Sequence, residues 1–226
     1  MQEKKSFFNA TFFITSALCF VPCVLGFVFY DKLPEKIPQS YSWNGQVNWS
    51  LPKPWGFILC PLIILIINSV FQIIIWRLKN PLNKKVRTLL HWVIPLTSIP
   101  LNCFIILKPV GLKTSALQVG ILTISVLFIV LGNYLPKTEE NFFVGVRAPW
   151  INKNPNVWFK TNRLAGILFV IMGFVNLPAA FFRAGKYIFI TSFCAVNLVL
   201  LIYSLIIAKL ASEKSQDEEA PEQTVS

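Results

Sequence analysis

The residues best suited to grip a charged partner are three cations close in sequence, Arg147, Lys160 and Arg163. A guanidinium presents a planar fork of donors to a carboxylate or phosphate, and free N–H groups at a helix start strengthen such a site. Asn154–Pro155 marks a helix start, with Asn as cap and Pro where its missing N–H is harmless. The same cations also suit phospholipid phosphates, with Trp150 and Trp158 anchored at a membrane interface. Around them stand residues that fix geometry: Asn133, Pro136, Asn141, Gly145 and Pro149. Pro149 biases Ala148 toward extended backbone, and Gly145 admits positive φ or close approach of another group. On a helix from Pro155, Trp158 and Asn162 share one face, and Phe159 and Arg163 another.

Other chemistry is poorly supplied. No HExxH, GxSxG or intramembrane acid pair occurs, so no catalytic residue is assigned and no enzyme is expected. The single histidine, His91, lies near the end of an apolar run, where an ionisable group is a functional candidate or a boundary residue. The five cysteines, Cys19, Cys23, Cys60, Cys103 and Cys194, lie in or beside apolar runs. Cys19 and Cys23 share a helix face, but without further ligands they read as small hydrophobes. Neither a metal, nor a cofactor, nor a disulfide framework is expected. Coupled transport usually needs a carboxylate at mid-membrane, and every acid lies outside the apolar runs. A passive carrier of small molecules or lipid stays open, with Asn68, Gln72, Asn102, Gln118, Asn176 and Asn197 as its polar path.

The elements that must position these residues are set by composition. Of 226 residues, 54% are hydrophobic and only 14% charged, too apolar for a soluble domain. The charges are nearly confined to gaps between runs long enough to cross a hydrocarbon core about 30 Å thick. The expectation is an all-α, multi-pass bundle of about six transmembrane helices in the cell membrane. They fall near 7–30, 55–76, 88–107, 114–131, 164–182 and 187–208. Pro95 and Pro100 kink the third, where Thr97 and Ser98 can satisfy the freed carbonyls. The formal charge of +11 is spread over loops with no basic stripe, so it sets topology and touches head groups, and direct nucleic-acid binding is not expected. The loop 77–87 carries Arg77, Lys79, Lys84, Lys85 and Arg87 without an acid. The resulting two-to-one bias of basic residues puts both termini in the cytoplasm.

The organisation that follows is a four-helix part over 1–131 and a cytoplasmic segment over 132–166. The last helices cover 167–208, and a disordered acidic tail covers 209–226. Within the first part, the loop 31–54 carries Pro34, Pro38, Pro52, Pro54 and an Asn44–Gly45 turn, which preclude a continuous helix. Its Tyr41, Trp43 and Trp49 suit either a binding surface or a lid with aromatics in the head groups.

The segment 132–166 resembles the signature of the SdpI family, immunity proteins against the bacterial sporulation-delaying toxin. The matching residues are Gly132–Asn133, Pro136–Lys137, Asn141, Gly145–Val146–Arg147–Ala148–Pro149–Trp150, Trp158 and Thr161–Asn162–Arg163. The loop is similar to the small domain that often precedes that signature, through Leu33–Pro34–Glu35–Lys36–Ile37–Pro38 and Gly45. Ala148 stands where the family has threonine, and Asn162 and Ser40 where it has histidine, so proton-transfer or metal roles of those histidines cannot operate here. The resemblance implies a multi-pass membrane protein giving resistance to a secreted antimicrobial peptide. It also implies that the toxin-occupied protein sequesters a cytoplasmic transcriptional repressor. Membrane lipids, the toxin and that repressor are the partners expected.

Overall fold

The computed structural model describes residues 10–42, 45–77, 84–138, 144–152 and 154–219. Trp43 and Asn141, Lys79 in the loop 77–87 and the last residues of the tail lie outside the described residues. Among the described residues, six helical stretches are long and apolar enough to span a membrane, as expected.

The first stretch is not one helix. α1 (Ala10–Cys19) stops at Phe20, and α2 (Val21–Val28) starts with Pro22 in its first turn. Pro22 has no N–H to donate and its ring would collide with the carbonyl four residues earlier, so the helix must restart there. Cys19 and Cys23 therefore lie on different helices, both buried, and all five cysteines are free thiols.

The Pro/Trp loop is a β-hairpin, an addition to the all-α expectation. After a 3-10 turn at Tyr30–Lys32, β1 (Lys36–Tyr41) pairs antiparallel with β2 (Val47–Pro52). Gly45 turns the chain with φ +83°, a conformation that costs other residues steric strain. The register slips on either side of Ser40, so the ribbon is irregular. One side chain anchors it. Ile37 is fully buried against Leu33, Phe57 and Ile106, and Gly56 leaves room for it on the next helix. Gln39 Nε2 donates to the Gly56 carbonyl at 2.8 Å, and the Tyr41 ring meets Phe104 edge-on at 5.5 Å.

α3 (Lys53–Arg77) and α4 (Lys84–Leu107) follow. Thr97 donates to the Val93 and Ile94 carbonyls, and Ser98 to Pro95. They do not reach the His91 and Leu96 carbonyls that Pro95 and Pro100 free, contrary to the expectation. α5 (Ala116–Tyr134) opens with a complete capping box. The Gln118 N–H donates to Ser115 Oγ at 3.1 Å, and Gln118 Oε1 accepts from the Ser115 N–H at 2.9 Å. A 3-10 turn at Leu135–Lys137 ends it. α6 (Pro155–Ala179) starts as expected, with Asn154 Oδ1 accepting from the Asn156 N–H at 2.9 Å. α7 (Gly185–Glu219) runs on past Ala208, so much of the expected disordered tail is helix.

α5 and α6 form the closest helix pair. A side chain on Gly132 would meet the Gly166 carbonyl oxygen at 2.6 Å, and one on Gly173 would meet the Ser125 carbonyl oxygen at 2.7 Å. Small residues let backbones approach where lipid gives no hydrophobic drive between helices. Asn176 Nδ2 donates to Ser192 Oγ at 2.9 Å between α6 and α7. Gln72 Nε2 donates to Thr15 Oγ1 at 2.5 Å between α3 and α1. Outward faces stay apolar and open, as at Ile66, Phe174 and Ile206. That suits a lipid solvent.

Candidate functional site

The bundle has two ends. The hairpin, the α4–α5 turn and the α6–α7 turn lie at one, and the segment between α5 and α6 lies at the other.

At the second end several residues of the segment converge on one side chain. Trp158, in the first turns of α6, is completely buried. Gly145 lies against its ring with φ +144°, and an added Cβ would sit 2.5 Å from Trp158 Cη2. Asn162, one turn further along α6, ties the segment down. Its Oδ1 accepts from the Val146 N–H at 2.7 Å, and its Nδ2 donates to the Trp158 carbonyl at 3.0 Å. Trp158 Nε1 points to the Thr138 carbonyl at 3.5 Å. Trp150 Nε1 donates to Ser204 Oγ on α7 at 3.1 Å. Ile151, Val157 and Trp158 pack with Ile207, Ala208 and Ala211. The result is a latch that binds α6, α7 and the segment leaving α5.

The sequence expectations divide here. Gly145, Trp150 and Trp158 come together, and Arg147 lies with its guanidinium carbon 5.9 Å from the Trp158 ring centroid. Pro136 packs against the space that Gly166 leaves open. Asn133 is at the surface, its Oδ1 accepting from Lys137 Nζ at 3.4 Å. Pro149 and Arg163 are exposed. Asn162, read from the sequence as a lost histidine on the Trp158 face of the helix, is the central hydrogen-bonding group. Ser204 was missed altogether, and nothing local in the sequence marks it.

Among the described residues, the buried part of the latch contains no ionisable side chain. A buried, bonded amide is uncharged at any physiological pH, so this arrangement holds structure and offers no general acid or base. No cluster of metal-ligating side chains occurs among the described residues.

At the hairpin end, Pro34 and Trp49 are exposed, while Pro38 and Tyr41 are half-buried. Burial pushes the Tyr41 phenol up, so it stays protonated and can donate. Ser40, at the family's histidine position, accepts from Asn48 Nδ2 at 3.1 Å. The six polar residues of the spans do not form a path. Gln118 is spent on the helix cap, and Asn102 and Asn197 bond carbonyls of their own helices. Gln72 and Asn176 bond across helices, and of the six Asn68 alone has an amide with no partner among the described residues.

Comparison with known proteins bears on both ends. Residues 137–210 match the SdpI/YfhL protein family, and residues 17–65 match a domain of unknown function (DUF1648). The chain is 30% identical over 197 residues to the immunity protein SdpI of Bacillus subtilis (strain 168), covering 82% of this chain and 86% of that one. This chain belongs to the SdpI family. No solved structure matches it. The family assignment and the six spans make it a multi-pass protein of the cell membrane. The SdpI match takes in most of the latch together with α6 and most of α7, and the second match takes in the whole hairpin. The likeness to SdpI supports a membrane immunity function, and that family is not one of enzymes.

Proposed function

We propose that this chain protects the cell that makes it against a secreted antimicrobial peptide. In this reading the hairpin faces outward and the latch faces the cytoplasm. The single observation that carries it is the likeness to the immunity protein SdpI along four fifths of the chain. The orientation rests on the basic residues, which are twice as frequent at the latch end as at the hairpin end. Arg147, Lys160 and Arg163 then face the cytoplasm as a docking surface for an acidic patch on a transcriptional repressor. The lack of a connected polar path favours protection over passage of a solute.

The test is to express the chain in a susceptible bacterium and challenge it with the sporulation-delaying toxin and related peptides. Protection against at least one is expected, and an unchanged killing curve for all of them refutes the reading. Arg147→Ala separates the docking role. The variant is expected at normal membrane abundance but with impaired protection or induction. Normal behaviour in both would remove the cations from the mechanism.

A further inference from the structure

Ten glycines occur in the chain, and nine have a structural reason. Each of these either sits where a side chain would strike a neighbour or has positive φ. Gly120 has neither, although it lies inside α5. A glycine there weakens the helix by about 1 kcal/mol relative to alanine and gains no packing within the chain.

The open space beside Gly120 is a cavity of ≈ 460 Å³ at the hairpin end. Its floor is apolar, made by Leu117, Ile121 and Ile124 of α5 and by Phe189 and Ile190 of α7. Its polar wall is Tyr41, Ser42 and Asn48 of the hairpin, with Lys186 at the start of α7. A second recess shares Leu117, Ile121 and Lys186 and adds Arg183. The volume falls in the range of specific ligand sites, which combine apolar lining with a few placed polar groups. The described walls carry two cations and no carboxylate. Lys186 Nζ rests over the Tyr187 ring at 4.8 Å from its centroid.

We propose that this cavity is the seat of the secreted peptide, holding an apolar stretch over Gly120 with a carboxylate at Lys186 and Arg183. The proposal rests on the immunity function above. Charge decides the anionic group. A peptide rather than a phospholipid follows from the hairpin wall, where the Tyr41 hydroxyl as donor stands with the Asn48 amide oxygen as acceptor, the pair that a peptide group matches. The aromatic and apolar lining suits side chains brought from water.

Gly120→Trp projects an indole into the open space, where nothing lies within 4 Å of the Cβ position. Lys186→Glu reverses the charge, and an acid in the first turn of α7 favours the helix dipole, so folding is not impaired. Both variants and Gly120→Ala are expressed beside the wild type and challenged with the peptide against which the wild type protects. Gly120→Trp and Lys186→Glu are expected to lower the tolerated concentration by at least about tenfold, equivalent to about 1.4 kcal/mol of lost affinity. Gly120→Ala should retain protection, and all variants should reach equal membrane abundance.

Wild-type protection with an unchanged Gly120→Trp variant overturns this proposal and leaves the function standing. Failure of the wild type removes the function and the seat with it. A photoreactive side chain at position 120 is expected to label the added peptide in purified membranes. Labelling of phospholipid alone identifies a lipid seat and also overturns the proposal.

Discussion

The latch end and the hairpin end of this bundle solve opposite packing problems. Around Trp158 every face is occupied: Gly145 on the ring, Asn162 on the backbone, Trp150 bonded to α7. At the hairpin end, Ile37 pins the ribbon to α3 and α4, and beside it a cavity stays open over Gly120. Filled and bonded structure resists change, because interiors are close-packed and cannot deform smoothly. An open, partly polar recess is where a ligand adds contacts the chain lacks. In this chain the buried residues of the latch hold three elements together, while the opposite end is the one with room for an occupant.

Four substitutions test that contrast, from the largest effect down. Trp158→Ala should destabilise the protein by about 3–5 kcal/mol, the usual loss for a fully buried large aromatic. Thermal unfolding in detergent micelles reads this as a marked fall in midpoint. A small shift would show that the latch is decorative. Gly145→Ala comes next, at about 3 kcal/mol, since overpacking and positive φ act together. Gly45→Ala is its control. With φ +83° and nothing within 4 Å, it carries the backbone strain alone, about 1 kcal/mol. Equal losses at the two glycines would remove the packing argument from the latch. Trp49→Ala, on an exposed side chain of the hairpin, should move stability by no more than about 0.5 kcal/mol.

Asn162→His sharpens the comparison by adding a proton. The Val146 N–H needs an acceptor, which a neutral imidazole supplies and an imidazolium does not. Folding then favours the neutral form, so acid that protonates the imidazole withdraws the acceptor and weakens the variant. The wild-type amide should show no such step. Melting curves between about pH 5 and pH 8 decide it, and a pH-independent variant would show that residue 162 does not hold the segment.

Much of this fold was legible in the sequence because lipid imposes a simple rule on chain length and charge. The six spans follow from apolar runs, and the start of α6 follows from Asn154–Pro155. What failed was local competition. Pro22 breaks the first span, yet the run around it is so apolar that its length concealed the break. The hairpin was hidden by proline-rich composition, which excludes helix without specifying strand. Ile37 settles the matter through burial against residues distant in the chain. The acidic tail reads as solvated, but Glu, Lys, Gln and Ala are good helix formers, and α7 carries them onward.

The latch was half legible. The four-residue spacing of Trp158 and Asn162 puts both on one face, whereas the bond from Trp150 to Ser204 joins residues 54 apart in sequence. No local pattern encodes that pair. Asn162 was visible as a departure from the family's histidine, but an amide's value depends on which backbone group it meets.

α7 contributes to both ends. Lys186, Phe189 and Ile190 line the cavity, and Ser204, Ile207, Ala208 and Ala211 belong to the latch. Lys186 and Ala211 are separated by about 38 Å of helix at 1.5 Å per residue. A rod of that length is a lever. Rocking it by roughly 5° about its middle displaces each extremity by about 1.6 Å in opposite directions, comparable with the helix shifts that switch subunit interfaces. An occupant wedged beside Lys186 would thus be felt at Ser204, about 8 Å past the middle, as a sideways pull of about 0.7 Å on Trp150.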